Sequence, residues 1–185
     1  MRFDLNDPGH NRIATFDIET THYKASLGEV VSVGLGVHDR GEPLDEAKLV
    51  TRHRSDQDSE TGLIRYAYDW LDQIDADCLV TFNGRYFDFP FCNQRLELHE
   101  QECAHPRLHT DERHFDLLED NRKEIANRND MNYPSLEGTL EAYGETPEPQ
   151  MWREKPLTNT RFGEELGPAL LRAIDEGDRE TADEL

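Results

Sequence analysis

The chain has 185 residues, of which 40 are Asp or Glu and 20 are Lys or Arg, giving a formal net charge of -20. That length suits one domain with a real core, and no run approaches the ~20 apolar residues of a membrane span. The opening Met1-Arg2-Phe3-Asp4 lacks a signal peptide's apolar segment, and Cys78, Cys92 and Cys103 are odd in number without Cys-x-x-Cys spacing, so a soluble cytoplasmic protein with free, buried thiols is expected.

In chain order, Arg12 to Ile18 reads as a strand and Glu29 to His38 as a second one rich in Val and Gly. Asp39-Arg40-Gly41-Glu42-Pro43 is a turn by composition, and Lys48 to Arg52 a third strand, so the first three strands form a meander. Ser55 to Ser59 can cap a helix in which Leu63, Ile64, Ala67, Trp70, Leu71 and Ile74 fall at helical spacing. Cys78 to Phe82 is a short run of the buried-strand type. Pro90 suits the first turn of a helix running to about His99, and His114 to Asp116 looks like a strand end. Leu117 to Ala126 is a helix candidate, Asn127 to Pro134 a polar loop, and Ser135 onward a helix that stops at Gly144. Glu145 to Thr160 reads as loop, Arg161 to Ile174 as one more helix, and Asp175 to Leu185 as a polar tail that opens like a helix at Arg179. Strands first and then strands alternating with helices predict an α/β domain with a mixed sheet.

Two stretches carry chemistry. In Thr15-Phe16-Asp17-Ile18-Glu19-Thr20 the alternation of a strand puts Asp17 and Glu19 on one face and Phe16 and Ile18 on the other. Two acids that close repel unless a cation lies between them, and a hard divalent ion suits oxygen ligands; alternatively they are solvated acids of an amphipathic edge. Val80-Thr81-Phe82-Asn83-Gly84-Arg85-Tyr86-Phe87-Asp88 places an amide and a carboxylate after a buried strand. Asn83-Gly84 is also plain turn chemistry, and Asp88 also suits a helix N-cap.

Together the stretches resemble the DEDD superfamily of 3′-5′ exonucleases, whose fold is ribonuclease-H-like. Phe16 to Thr20 is similar to the first motif, and Thr81 to Phe91 to the second, in the form shared by proofreading domains of family B polymerases and by the YprB-type family. His114 to Leu118 and Ser135 to Gly144 resemble later YprB-type segments, so the resemblance covers about residues 12–145 of a single domain, with 146–185 a vaguer continuation. It implies a mixed central sheet flanked by helices and two Mg²⁺ or Mn²⁺ ions, 3.5–4 Å apart in such sites, that hydrolyse phosphodiester bonds at DNA or RNA ends. Asp17, Glu19 and Asp88 would be the catalytic metal ligands, and Thr20, Asn83, Phe87 and Asp116 would contact substrate, a single-stranded 3′ end. At a strand end Asp116 could also face the metal site as a substitute fourth ligand, but it better suits capping of the helix from Leu117. The family's third motif, Tyr-x-x-x-Asp or His-x-x-x-x-Asp, has no counterpart, because no Tyr or His follows Tyr143; Asp175, Asp178 and Asp183 are the acids available. Either the chain stops short of that helix, or it is a catalytically impaired member that binds or scaffolds without cutting.

Lysine occurs only at 24, 48, 123 and 155. An acidic, lysine-poor surface fits a cytoplasm at high salt, where screening acts within roughly 3 Å at 1 M, and predicts a halophilic, haloarchaeal-looking source. Low hydrophobicity with high charge is also the signature of disorder, against which the apolar runs argue. Cys103, His105, His109 and His114 are zinc-ligand types without zinc-site spacing. The absence of Gly-x-Gly-x-x-Gly, a phosphate-loop Lys and Gly-x-Ser-x-Gly removes nucleotide-cofactor and serine-hydrolase readings.

Overall fold

A computed structural model describes residues 9–55, 58–119, 134–142, 144–146 and 148–185. Five strands form a sheet in the order β3-β2-β1-β4-β5: β1 Arg12–Thr20, β2 Val30–Asp39, β3 Lys48–His53, β4 Cys78–Thr81 and β5 His114–Asp116. The first three pair antiparallel, as the meander expects, whereas β4 and β5 join parallel to β1. Parallel pairing requires a crossover, and α1 (Glu60–Gln73) and α2 (Asp88–Leu98) occupy the two connections.

The core lies on one side of this mixed sheet. Phe16 and Ile18 of β1 meet Leu63, Ile64, Ala67 and Leu71 of α1 and Phe89, Cys92 and Leu96 of α2 in one buried cluster. Phe16, Tyr68 and Phe89 form an aromatic triangle with centroids 5.0 to 6.4 Å apart, so the residue before Asp17 and the residue after Asp88 are packed against each other. Burying rings of this size contributes about 1.5–3 kcal/mol each, which makes the spacing of the two motifs stiff. Ser59 caps α1 by accepting from the Gly62 N–H, as its sequence position predicts.

Several expectations change beyond residue 116. Residues 117–119 begin helically, and the remainder of the Leu117 to Ala126 candidate and of the Asn127 to Pro134 loop lies outside the described residues, Pro134 excepted. α3 spans Leu136–Ala142, and Gly144 at φ 89° ends it in the left-handed region that favours glycine. The supposed loop from Glu145 to Thr160 contains a hairpin, β6 (Met151–Trp152) with β7 (Lys155–Pro156), too short to leave a periodic signal. The helix expected from Arg161 begins earlier: α4 (Asn159–Arg161), a π-helical turn (Phe162–Leu166) and α5 (Gly167–Glu176) run continuously, with Pro168 tolerated in the first turn of α5. The polar tail forms α6 (Arg179–Glu184), capped by Asp178. Cys78 and Cys92 are buried and Cys103 half-buried, and none of the three is in a disulfide. Among the described residues no helix is long and apolar enough to cross a membrane.

Candidate active site

β1 is the axis of the site. Its parallel ladder with β4 ends at Thr15 opposite Val80, so the next backbone donor on that side, the Ile18 N–H, has no strand to pair with. The Asp88 carboxylate takes it: the Ile18 N–H donates to Asp88 Oδ1 at 3.0 Å. Asp88 therefore comes in at the peptide between Asp17 and Glu19, although seventy residues separate it from Ile18. It is the first residue of α2, not its N-cap; Phe87 holds that place without a side-chain cap bond. On the other side of β1, the register with β2 slips between Glu19 and Thr20. Such bulges twist a strand end and re-aim its side chains.

The three acids are electrostatically uneasy. Burial pushes the Asp17 carboxyl up to about 6 against a partial offset from the Ile18 N–H, while Asp17 keeps an accessible face. Protein crowded around an open carboxylate is the cause there, not full removal from water. Burial raises Glu19 to about 7, with the Asp17 charge adding to it. Asp88 is 2% exposed; burial first, then the charge of Asp17, raise it well above the carboxylate range. Among the described residues no cation offsets any of them. No three His, Cys, Asp or Glu side chains among the described residues stand as a formed metal-ligand set, so Asp17, Glu19 and Asp88 are neighbours and not a closed cage. An all-oxygen donor set with uncompensated negative charge nevertheless fits a hard divalent ion.

The turn before α2 is held from below by Asp116. Its carboxylate, 1% exposed, accepts from the backbone N–H groups of Asn83 (2.8 Å), Arg85 (2.9 Å) and Leu118 (3.0 Å). The Leu118 bond is the capping alternative, and the other two make Asp116 the anchor of the second motif. Asn83 takes the left-handed conformation, φ 67°, as an Asn-Gly turn allows. Gly84 is needed for another reason: a Cβ there would lie 2.6 Å from Thr81 Cβ. The Thr81 hydroxyl bonds His114 Nε2 at 2.7 Å, and His114 Nδ1 meets His109 Nδ1 at 2.8 Å. Burial lowers both imidazoles to about 4, so they are neutral, one donating to the other. Their direct bond, with His109 stacked on Phe89 at 3.9 Å, makes these histidines core polar groups and not zinc ligands.

Phe87 is half-buried against Phe91, and the Thr20 hydroxyl donates to the His22 carbonyl. Beyond Thr20 the chain displays what motif reading passed over: Tyr23, 69% exposed, stacked on His22 at 4.6 Å with Lys24 above its ring. Only an exposed aromatic next to a cation distinguishes this segment in sequence. The π-helical turn crosses the end of β1, where a Cβ on Gly163 would lie 3.1 Å from the Thr21 carbonyl. Phe162 from this turn and Glu19 line one cavity of about 670 Å³ with Glu137 and Glu141 of α3. Of the late acids, Glu165 pairs with Arg161, and Asp178 caps α6.

A five-stranded mixed sheet in this order, with helices around it and acids on its central strand, defines a ribonuclease-H-like fold. The sequence model of the RNase_H superfamily matches residues 14–143, and the chain belongs to that superfamily. Among solved structures, the family B DNA polymerase from the hyperthermophilic archaeon Pyrobaculum calidifontis is similar in fold, with a TM-score of 0.58 and 18% identity over 96% of this chain. The match spans 24% of the polymerase, so the chain corresponds to about a quarter of that protein. A search of the curated proteins finds no match.

Proposed function

We propose that the chain is a metal-dependent 3′-5′ exonuclease of the DEDD type, a YprB-like single domain acting on single-stranded DNA or RNA ends in a salt-adapted cytoplasm. The observation that carries this reading is the bond from the Ile18 N–H to Asp88, which brings the acid of the second motif to the acids of the first. Asp17 and Glu19 would hold Mg²⁺ or Mn²⁺ with Asp88 beside them. Two such ions, when bound, supply an activated water and stabilise the charge on the leaving oxygen. The chain's own groups do the remainder. Asp116 fixes the turn that presents Asn83 to the terminal nucleotide, Phe87 packs beside it, Thr20 orders the end of β1, and the exposed Tyr23 ring offers a base a stacking surface.

The rival reading is a nucleic-acid-binding or scaffolding module of the same fold, in which Asp17, Glu19 and Asp88 are neighbours without closing around a metal ion. End-labelled single strands, incubated with the protein and Mn²⁺, separate the two. The exonuclease shortens a 5′-labelled strand stepwise, spares one with a blocked 3′ end, and loses this activity in Asp17→Ala and Asp88→Ala. Intact strands at saturating Mn²⁺, with binding retained, would establish the module instead.

A further inference from the structure

In a chain with 40 acids against 20 Lys and Arg, residues 150–162 reverse the balance, with Arg153, Lys155 and Arg161 against Glu154 alone. β6 and β7 are joined by the two-residue turn Arg153-Glu154. Both turn residues are non-glycines in the left-handed region, at φ 48° and φ 60°. Turns of this kind favour Asn-Gly, because an L residue there brings its Cβ against the backbone. Strain that survives in this form points to a use for the side chains it displays.

Those side chains are arranged. The Arg153 guanidinium lies 4.4 Å from the centre of the Trp152 ring and that of Arg161 lies 5.3 Å from it. Arg161 also donates to the carbonyls of Trp152, Lys155 and Pro156 and pairs with Glu165, so it is the brace of the hairpin. Arg153 and Lys155 are exposed and, among the described residues, make no ion pair. The foot of the hairpin, Pro156 and Leu157, lines the same cavity as Glu19 and Phe162. Lys155 directly precedes Pro156 in this lining, so the basic tip of the hairpin adjoins the cavity that holds Glu19.

We infer that the β6–β7 hairpin is a phosphate clamp, in which Arg153, held flat by Trp152, and Lys155 grip the backbone of the single strand upstream of its 3′ end. The inference rests on the nucleic-acid reading above and deepens it. Its partner is a phosphodiester chain because the cavity at the foot of the hairpin, lined by Glu137, Glu141 and Glu148, also holds Glu19 of the proposed metal-binding pair, where phosphate is met through divalent ions; an acidic peptide is the opposing outcome of the test.

The test is fluorescence anisotropy with a labelled single strand of about 12 nucleotides, as DNA and as RNA, on the full chain with Ca²⁺ as the divalent ion. Arg153→Glu with Lys155→Glu should weaken binding about tenfold or more and flatten the slope of log affinity against log salt by about 1.4, roughly 0.7 for each phosphate the hairpin no longer neutralises. Arg153→Gly separates display from folding: it relieves the left-handed turn, so Tm holds or rises while affinity falls severalfold. Lys48→Glu, on the far edge strand, should leave affinity within twofold. Affinity within twofold of the parent in both hairpin variants overturns the clamp and leaves the nuclease reading standing. Displacement of the strand by polyglutamate at equal charge overturns the clamp in favour of an acidic peptide, and a parent that binds neither strand overturns both readings.

Discussion

Glu60 is the buried acid on which the loop beyond the candidate site depends, and Glu60→Gln tests that dependence. The carboxylate is 3% exposed and accepts from the Val30 N–H at 2.7 Å, from Arg95 Nε and a terminal guanidinium nitrogen at 2.8 and 2.7 Å, and meets His99 Nε2 at 3.0 Å. Arg95 in turn donates to the Ala25 carbonyl, so one ion pair ties β2, the loop after β1 and both core helices together. An amide keeps the bond from Val30 but leaves the Arg95 guanidinium, 12% exposed, without its counter-charge. Removing one partner of a buried pair costs about 3–5 kcal/mol, and the retained hydrogen bonds bring the expectation to about 3 kcal/mol. For a chain of this size that lowers Tm by roughly 6–12 °C. Burial alone would raise the Glu60 carboxyl, but the Arg95 guanidinium and the Val30 N–H more than offset it and hold it below its ordinary 4.5. Its stabilisation is therefore present above the ordinary value and lost as pH falls through the folded one, so the difference between parent and variant should shrink in acid. Thermal melts by circular dichroism across pH, with the Arg95→Met and double variants, read the effect. A loss under about 1 kcal/mol, or double-variant additivity within about 0.5 kcal/mol, would refute the reasoning.

Asp17→Asn should make the protein free of divalent ions more stable, not less. Asp17 and Glu19 are raised to about 6 and about 7, so the parent loses stability as pH rises from the ordinary carboxylate range through those values, and the variant loses less of it. Added Mn²⁺ should raise the parent's Tm and leave that of the variant nearly unchanged, and a variant less stable than the parent near neutral pH in EDTA would count against this picture. Gly84→Ala should cost about 2–4 kcal/mol because its Cβ meets the Thr81 Cβ at 2.6 Å, whereas Gly34→Ala, whose nearest neighbour is the Asp17 carbonyl at 4.0 Å, should stay within about 1 kcal/mol. Urea melts rank the pair, and equal losses would remove the close-approach argument. Arg107→Ala should fray the end of α1, because its guanidinium donates to the carbonyls of Asp72, Ile74 and Ala76; faster amide exchange over the last turn, with about 1–2 kcal/mol lost overall, is the expected result.

What was legible in the sequence was periodic or strongly typed. Alternation placed Asp17 and Glu19 on one face, helical spacing gave α1 nearly to the residue, and turn composition marked Asn83-Gly84. Among the residues that motif resemblance supplied, Asp88 reaches the backbone of Ile18 between Asp17 and Glu19, and that bond was not readable. Nothing local reveals that the β1–β4 ladder ends at Thr15, and hence that Asp88 is called on to satisfy Ile18. Asp116 stood between a fourth metal ligand, a substrate contact and a helix cap, and three backbone donors from two segments explain both its burial and why no single window could assign it. The β6–β7 hairpin escaped because two-residue strands have no period and its turn uses Arg-Glu where a search would look for Asn-Gly.

The bond between Ile18 and Asp88 gives one carboxylate two masters. As the plug that closes an unfinished sheet edge it is architectural, and on the proposed reading it is also the third acid beside Asp17; Asp88→Asn would keep an oxygen for the Ile18 N–H and remove the acid, whereas Asp88→Ala removes both. A chain of this fold without metal chemistry would still be obliged to keep a side-chain acceptor at this position, aspartate or asparagine, for its backbone.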